Sequence, residues 1–514
     1  MRAHIPFSRR TQTLALVLVC GGLIAFNTFA PLGESLRPSE LTGPFLRPWK
    51  TTTKDGVVLE DTIGWEDQAI LGEGVHRKVS QHRVLTVTAT ETETVQVPTT
   101  TTKIVEPSAS QRPLVNGPPT AKMRDNLRPE LKYITSWHGA GITNDMMAHI
   151  NLLYLAKQTD RIPIMDIFFA DWGHVGFGYK VRPPPMLFGD VFDLPRFTKL
   201  TGVEVLQWPD VKASDSREID SFGCWNLEQA NLNNQNPHLG ATTPGERGFD
   251  ISYMVIPPWT KQYPEQKWNE FVRLSQLVAL SFPEKHKENV QAQQQTLRGS
   301  TLLGLKTPPD EQLMCFDWLF NTCENAPHDV LKDYSSTWRQ IGQHLHFHPK
   351  IEGLAHEYLR KAFQLSPDQP VPPYIAVHVR RGDFDIWCTV PREECFTPFL
   401  YFARKVKKMQ EQLLADKGLT IQHVVVTSDE SADEFWADVA SYGYGRPDHT
   451  TTKEEYGAFY PVFIDNAIQG LAQGIVGTEM STVSRIAAKR IDSWQGGINT
   501  MVSFRKLEAE QERE

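Results

Sequence analysis

Three short apolar runs in the last third of the chain each end in a polar cluster and lead towards a helical pattern. This repeat limits the fold more than any other feature. The runs are Tyr374 to Val379 in "YIAVHVRRGDF", the "HVVV" of "HVVVTSDE", and "GIVG" just before Thr478. Runs that are apolar on both sides of the pleat belong in a sheet covered on both faces. Strands that alternate with helices pair in parallel. Ligands of such sheets bind beyond the strands' C-terminal ends. The clusters His378 to Asp383, Thr427 to Asp429 and Thr478 to Ser484 all fall at those ends, so the fold brings them together.

A second stretch repeats the pattern. "KYITSW" has strand character and runs into "HGAGITND". Met146, Met147, Ile150, Leu153 and Tyr154 then recur at helical spacing, and "IPIM" follows as a strand. Gly141 lets a ligand approach the backbone, and the helix start beyond it favours negative charge. The strict G-x-G-x-x-G spacing is not met, because Asn144 stands where the last glycine would be. The pattern loosens between about 200 and 300, where "NLNNQNPHLGATTPGERG" and "ENVQAQQQTLRG" read as loop-like insertions.

The residue types in the convergent clusters suit a nucleotide diphosphate. Arg380 and Arg381 stay charged and match phosphate bidentately. Ser481 and Thr482 open a helix and offer hydroxyls and free N–H groups. A carboxylate such as Asp465 or Asp429 can accept from a guanine edge. When a group leaves a diphosphate, negative charge grows on the phosphate, and a fixed cation there stabilises the transition state more than the ground state.

At the other end, Thr11 to Gly33 carries no charge. At 1.5 Å per residue such a segment reaches roughly 34 Å, enough to cross a bilayer core. Arg2, Arg9 and Arg10 precede it and the first acid is Glu34. Basic residues stay cytoplasmic, so the chain is expected to be a single-pass type II membrane protein with its remainder in the lumen. A cleaved signal peptide is the competing reading. The chain's net charge is −8, so the part beyond residue 33 carries −11. That balance speaks against a nucleic-acid partner. Residues 34–128 are rich in Thr, Pro and Glu ("TVTATETETVQVPTTTT") and read as a flexible stem.

Cys315 and Cys323 are eight apart and Cys388 and Cys395 seven apart, which suggests two local disulfides with Cys224 unpaired. Neither spacing is a zinc signature, and no metal is expected. Two other motifs compete for attention. Asp383-Phe384-Asp385 is a D-x-D of the kind that binds Mn²⁺ with a donor, and His344, His346 and His348 form a run. The first overlaps the arginine cluster. The second has a proline behind it and no carboxylate in register.

"HVRRGDF" resembles the His-x-Arg-Arg-x-Asp motif of the GDP-fucose-dependent fucosyltransferases, the group spanning protein O-fucosyltransferases and α1,6-fucosyltransferases. "VVVTSDE" and "DNAIQGLAQGIVGTEMSTVSRIAAKR" look like the second and third motifs of that group. "KYITSWHGAGITNDMMAHINLLYLAKQTDRIPIM" looks like its Gly loop and helix. The resemblance implies an α/β, GT-B-like fold of two Rossmann-like domains facing a cleft, behind a single transmembrane helix and a stem. Together with the composition of the N-terminal part, the expected parts are 1–10 (cytoplasmic tail), 11–33 (anchor), 34–128 (stem), 129–370 (first half) and 371–514 (donor-binding half). It implies an inverting, metal-independent enzyme of the Golgi or ER, using GDP-fucose as donor and a protein or glycan as acceptor.

Carried over by position, the resemblance makes Arg380 the catalytic arginine. His378, Arg381 and Asp383 would support the donor. Asp429 and Asp465 would meet guanine or ribose, Ser481 and Thr482 the phosphates, and Gly141 and Asn144 the Gly loop. Some protein O-fucosyltransferases place a Glu base in this loop. Here the loop has Ala140 and no Glu, and Asp145 is expected to cap the helix. The alternative is an inactive GT-B-like lumenal binding or scaffold protein.

Overall fold

The computed structural model describes residues 112–137, 139–168, 183–227, 245, 247–262 and 271–511. The anchor at 11–33 and nearly all of the stem lie outside the described residues. Among those described, no helix is long and apolar enough to cross a membrane.

Two parallel sheets organise the chain. The first comprises β1 (Tyr133–Ser136), β2 (Ile162–Met165), β3 (Leu206–Gln207), β4 (Asp220–Asn226), β5 (Phe249–Val255) and β7 (Leu313–Phe316), in the order β3-β2-β1-β7-β4-β5. The strands β6 (Val272–Arg273) and β8 (Thr322–Cys323) form a small pair beside it. The second comprises β9 (Tyr374–Val379), β10 (His423–Ser428), β11 (Gly474–Thr478) and β12 (Ile498–Val502), in the order β10-β9-β11-β12. Every pairing within both sheets is parallel. All six residues of β9 are buried, as expected for a strand covered on both faces.

The helices that position the site are α1 (Ile142–Thr159), α2 (Pro283–Ala292), α3 (Pro349–Ala362), α4 (Phe399–Lys417), α5 (Asp433–Ser441), α6 (Tyr460–Gly470) and α7 (Thr482–Gln495). In each sheet the chain builds outward on one side of the first strand and then crosses to its other side. The chain leaves β1 towards β2, whereas β7 flanks its other edge; β9 lies between β10 and β11. Such switch points open a crevice beyond the strand ends. The loop after β1 and the loops after β9 and β11 lie at these two crevices.

The core runs continuously from α1 through α3, α6 and α7, with Met146, Ile351, Ala467 and Ile486 all buried in one cluster. Arg490 of α7 sits in it, 1% exposed, its guanidinium 4.4 Å from the Phe347 ring and 5.5 Å from Trp494. It reaches Met146 Sδ of α1 at 3.8 Å, and burial pushes its pKa down to about 9.

Several expectations are corrected. The compact unit begins at Gln111 rather than 129. Residues 112–128 are held by long-range contacts: Met123 N donates to the buried Asp220 carboxylate at 3.1 Å, and Asn126 Nδ2 to Val211 O at 3.1 Å. "ENVQAQQQ" is no loop: its first five residues complete α2, a polar helix whose buried positions are His286 and Asn289.

The cysteine pairing also changes. Cys315 bonds Cys224, not the expected Cys323. The two sit on β4 and β7, adjacent strands of the sheet, with Cα atoms 4.5 Å apart. Sequence spacing cannot register a pairing set by strand order. Cys323 is free and buried on β8, its thiol pushed up to about 12 by desolvation. Cys388–Cys395 is bonded as expected.

Candidate functional site

At the end of β9 the backbone is locked to the end of β11. Thr478 Oγ1 donates to His378 O at 2.9 Å and accepts from Arg380 N at 2.9 Å. Ser484, one turn into α7, accepts from Thr478 N at 2.9 Å and meets His378 Nδ1 at 2.7 Å. When the Ser484 hydroxyl donates to Nδ1, the neutral imidazole carries its own proton on Nε2. Burial drives the His378 pKa down to about 4, so the ring is neutral at pH 7.

This lock needs a glycine. A Cβ on Gly477 would lie 2.6 Å from Ser484 Cβ, so only glycine lets α7 approach β11 this closely. Between them, Met480 takes φ = +65° and lies 40% exposed. A non-glycine residue held left-handed in a loop at a switch point is stored strain of the kind concentrated at ligand sites. Ser481 then caps α7, accepting from Ser484 N at 3.5 Å, and Thr482 is the first helical residue.

Arg380 projects from this frame. Its Nη2 pairs with Asp383 Oδ1 at 2.7 Å and its Nη1 with Asp429 Oδ2 at 2.8 Å, with the Phe384 ring 5.7 Å away. Asp429 in turn accepts Arg381 N at 2.8 Å. Gly382 makes room for that carboxylate: a Cβ there would come within 2.2 Å of Asp429 Oδ2. The guanidinium is thus fixed by two carboxylates and a ring, with 21% of the side chain reaching solvent.

Arg381 goes elsewhere, which corrects the picture of two arginines on one diphosphate. Its guanidinium lies 4.7 Å from the Phe435 ring and 5.5 Å from Phe396. It donates to Thr397 O at 3.1 Å and faces Glu430 at 3.6 Å. Burial lowers its pKa, opposed by Glu430. Adjacent residues of an extended segment point to opposite faces, so His378 and Arg380 share one side and Arg381 takes the other. Thr478 and Ser484 bound one of the clusters read from sequence, but Glu430 and Arg392 were not singled out there. The same alternation, followed past the strand end, would have pointed to them.

Asp465, on α6, accepts from or shares a proton with His449 Nε2 at 2.9 Å. His449 also meets Thr452 Oγ1 at 3.1 Å and stacks on Tyr358 at 5.1 Å. Among the described residues, no hydrogen bond joins this group to Arg380. One turn on, Gln469 Nε2 donates to Thr427 Oγ1 at 2.9 Å, tying α6 to β10.

In the first sheet, Asp145 does not cap α1 in the expected way. Its Oδ1 accepts from Gly139 N at 3.0 Å and Ala140 N at 3.1 Å, bending the loop back over the helix start. Gly141 occupies the N-cap position, with ordinary φ = −61°. Asn144 lies on the first turn, its Oδ1 buried without a hydrogen-bond partner among the described residues. The histidine run divides: His346 stacks on Trp494 at 4.5 Å and His348 Nδ1 accepts Lys350 N at 3.2 Å. Among the described residues no three His, Cys, Asp or Glu gather as they would around a metal.

No family model matches the chain, nor does any curated protein sequence. Solved structures do resemble it. POFUT1 in complex with GDP-fucose is 15% identical, with a TM-score of 0.43, over 72% of this chain and 98% of that one. The NodZ alpha-1,6-fucosyltransferase soaked with GDP-fucose is 11% identical, with a TM-score of 0.34, over 70% and 93%. The fucosyltransferase NodZ from Bradyrhizobium is likewise similar, at 11% identity and a TM-score of 0.34, over 70% and 92%.

Proposed function

We propose that this chain is a GDP-fucose-dependent fucosyltransferase with a GT-B arrangement, anchored in a Golgi or ER membrane with its catalytic part in the lumen. It moves L-fucose from GDP-β-L-fucose to a hydroxyl of a protein or glycan, with inversion and without a metal. The observation that carries the reading is the placement of Arg380. It stands at the β9/β11 switch point, above a strained loop and the start of α7, on a backbone that Thr478 and Ser484 hold rigid.

In the reaction the acceptor oxygen forms a bond to the anomeric carbon while the bond from that carbon to the β-phosphate oxygen breaks. The electron pair goes to the phosphate, and the acceptor proton leaves to solvent or to that phosphate. Arg380 neutralises the growing charge, and for this one of its two carboxylate partners must yield to the phosphate. Asp383, 53% exposed at its side chain against 27% for Asp429, is the partner that moves more cheaply. The α7 start and Ser481 bind the phosphates, the neutral His378 presents an Nε2 proton to the nucleoside, and Asp465 or Asp429 accepts from guanine. Asn144 presents its amide from the opposite crevice.

The test is GDP release by the purified full chain from GDP-fucose in EDTA. Release that survives chelation supports this reading. A strict Mn²⁺ requirement moves the chemistry to Asp383 and Asp385, and failure to bind GDP at all makes the chain a scaffold.

A further inference from the structure

The most exposed apolar cluster away from the site is a loop that is built with care. Leu302, Leu303 and Leu305 are 54%, 50% and 46% exposed. Flexible, solvent-avoiding residues would normally fold inward, yet here the backbone is pinned so that they cannot. The buried Asp250 carboxylate accepts from Leu302 N at 2.9 Å, Leu303 N at 3.0 Å and Ser300 Oγ at 2.6 Å. Ser300 N donates to Leu305 O at 2.9 Å, Leu305 N donates back to Ser300 Oγ at 3.0 Å, and Ser252 Oγ donates to Leu305 O at 2.6 Å. Gly304 supplies φ = +66° at the tip.

The flanks and the location add two independent observations. Arg298 and Lys306 border the loop, both exposed and neither in an ion pair among the described residues. Thr307, at its end, lies 3.4 Å from Ser221 at the start of β4, and Met123 N is bonded to Asp220 beside it. The leucine loop and the first residues of the folded unit therefore share the N-terminal end of the parallel strands. The Gly loop and Asn144 are at the other end.

We propose that this loop is a membrane-contact site: the three leucines enter the headgroup–acyl boundary while Arg298 and Lys306 reach lipid phosphates. Three exposed leucines flanked by two cations match a phospholipid surface, which supplies both an apolar layer and anions. A loop contact of this kind is weak alone and effective as a second signal beside an anchor. The inference rests on the reading of residues 11–33 as that anchor, and on no part of the proposed reaction. It sets the Gly-loop crevice facing away from the bilayer.

The test uses the full chain reconstituted in phosphatidylcholine–phosphatidylserine vesicles, with the environment-sensitive probe NBD placed at Leu303→Cys and, separately, at Ile386→Cys beside Arg380. Lipids brominated near the headgroup should quench the probe at 303 at least threefold more than the probe at 386. Replacing Arg298 and Lys306 with Ala should reduce that difference. Equal quenching at both positions, or a probe at 303 that stays water-like, overturns the proposal. So does a 303 probe that is shielded but unquenched by bromolipid, which would mean a protein or a second copy covers the loop. A chain stripped from the vesicles at alkaline pH contradicts the anchor and overturns the inference with it.

Discussion

The two sheets differ in how short side chains tie their strand ends together among the described residues. Around β9 and β11, short side chains interlock: Thr478 joins two strands, Ser484 joins a helix to both, and Asp429 grips the backbone of one arginine and the head of another. Around β1 the loop is bent by one carboxylate, Asp145, and its amide-bearing neighbour Asn144 has a buried oxygen without a hydrogen bond among the described residues. Under the proposed function, the interlocked side fixes the charge that the leaving group meets. Preorganised charge is the larger catalytic term.

That comparison can be broken most decisively at Arg380. Arg380→Ala should cut turnover at least about 100-fold, the scale of losing one charge contact to a developing anion. Gly382→Ala comes next: its new Cβ collides with Asp429, so Arg380 loses its fixed partner. Overpacking of this kind costs about 1–3 kcal/mol, read as a lower urea midpoint together with a fall in turnover. Ser484→Ala leaves Thr478 N–H buried without its acceptor. A cost of about 1–3 kcal/mol is expected in urea unfolding. The smallest effect belongs to the looser side. Asn144→Ala should change GDP affinity less than about tenfold, under 1.4 kcal/mol. A loss there as large as that of Arg380→Ala would erase the distinction between the sheets.

Acid offers a separate check. Burial lowers the pKa values of His378, His328 and His346 to about 4, against an ordinary value of 6.5. The unfolded chain therefore takes up these protons first, and stability that is complete above pH 6.5 is lost as the pH falls towards 4. A melting temperature that stays flat from pH 6.5 to 4.5 would contradict this.

Much of the frame was legible in the sequence. Apolar runs ending in His378, Thr427 and Thr478 gave parallel strands and placed their polar ends together, because strand period and helix period are local properties. What escaped was set by neighbours distant in sequence. Arg381 reads like Arg380 until Phe396, Phe435 and Glu430 close around it. Cys224 looked unpaired because its partner is fixed by the β7–β4 adjacency across 91 residues. The start of the fold near 112 was hidden because residues 112–128 carry little apolar periodicity and are held by hydrogen bonds to Asp220 and Val211.

The central claim is that the Arg380 guanidinium is worth more to the transition state than to bound nucleotide. Measuring GDP affinity and single-turnover fucose transfer side by side in Arg380→Ala tests it directly. The rate should fall at least about 100-fold, with GDP affinity weakened by a clearly smaller factor. A near-normal rate, or equal losses in rate and affinity, would contradict it.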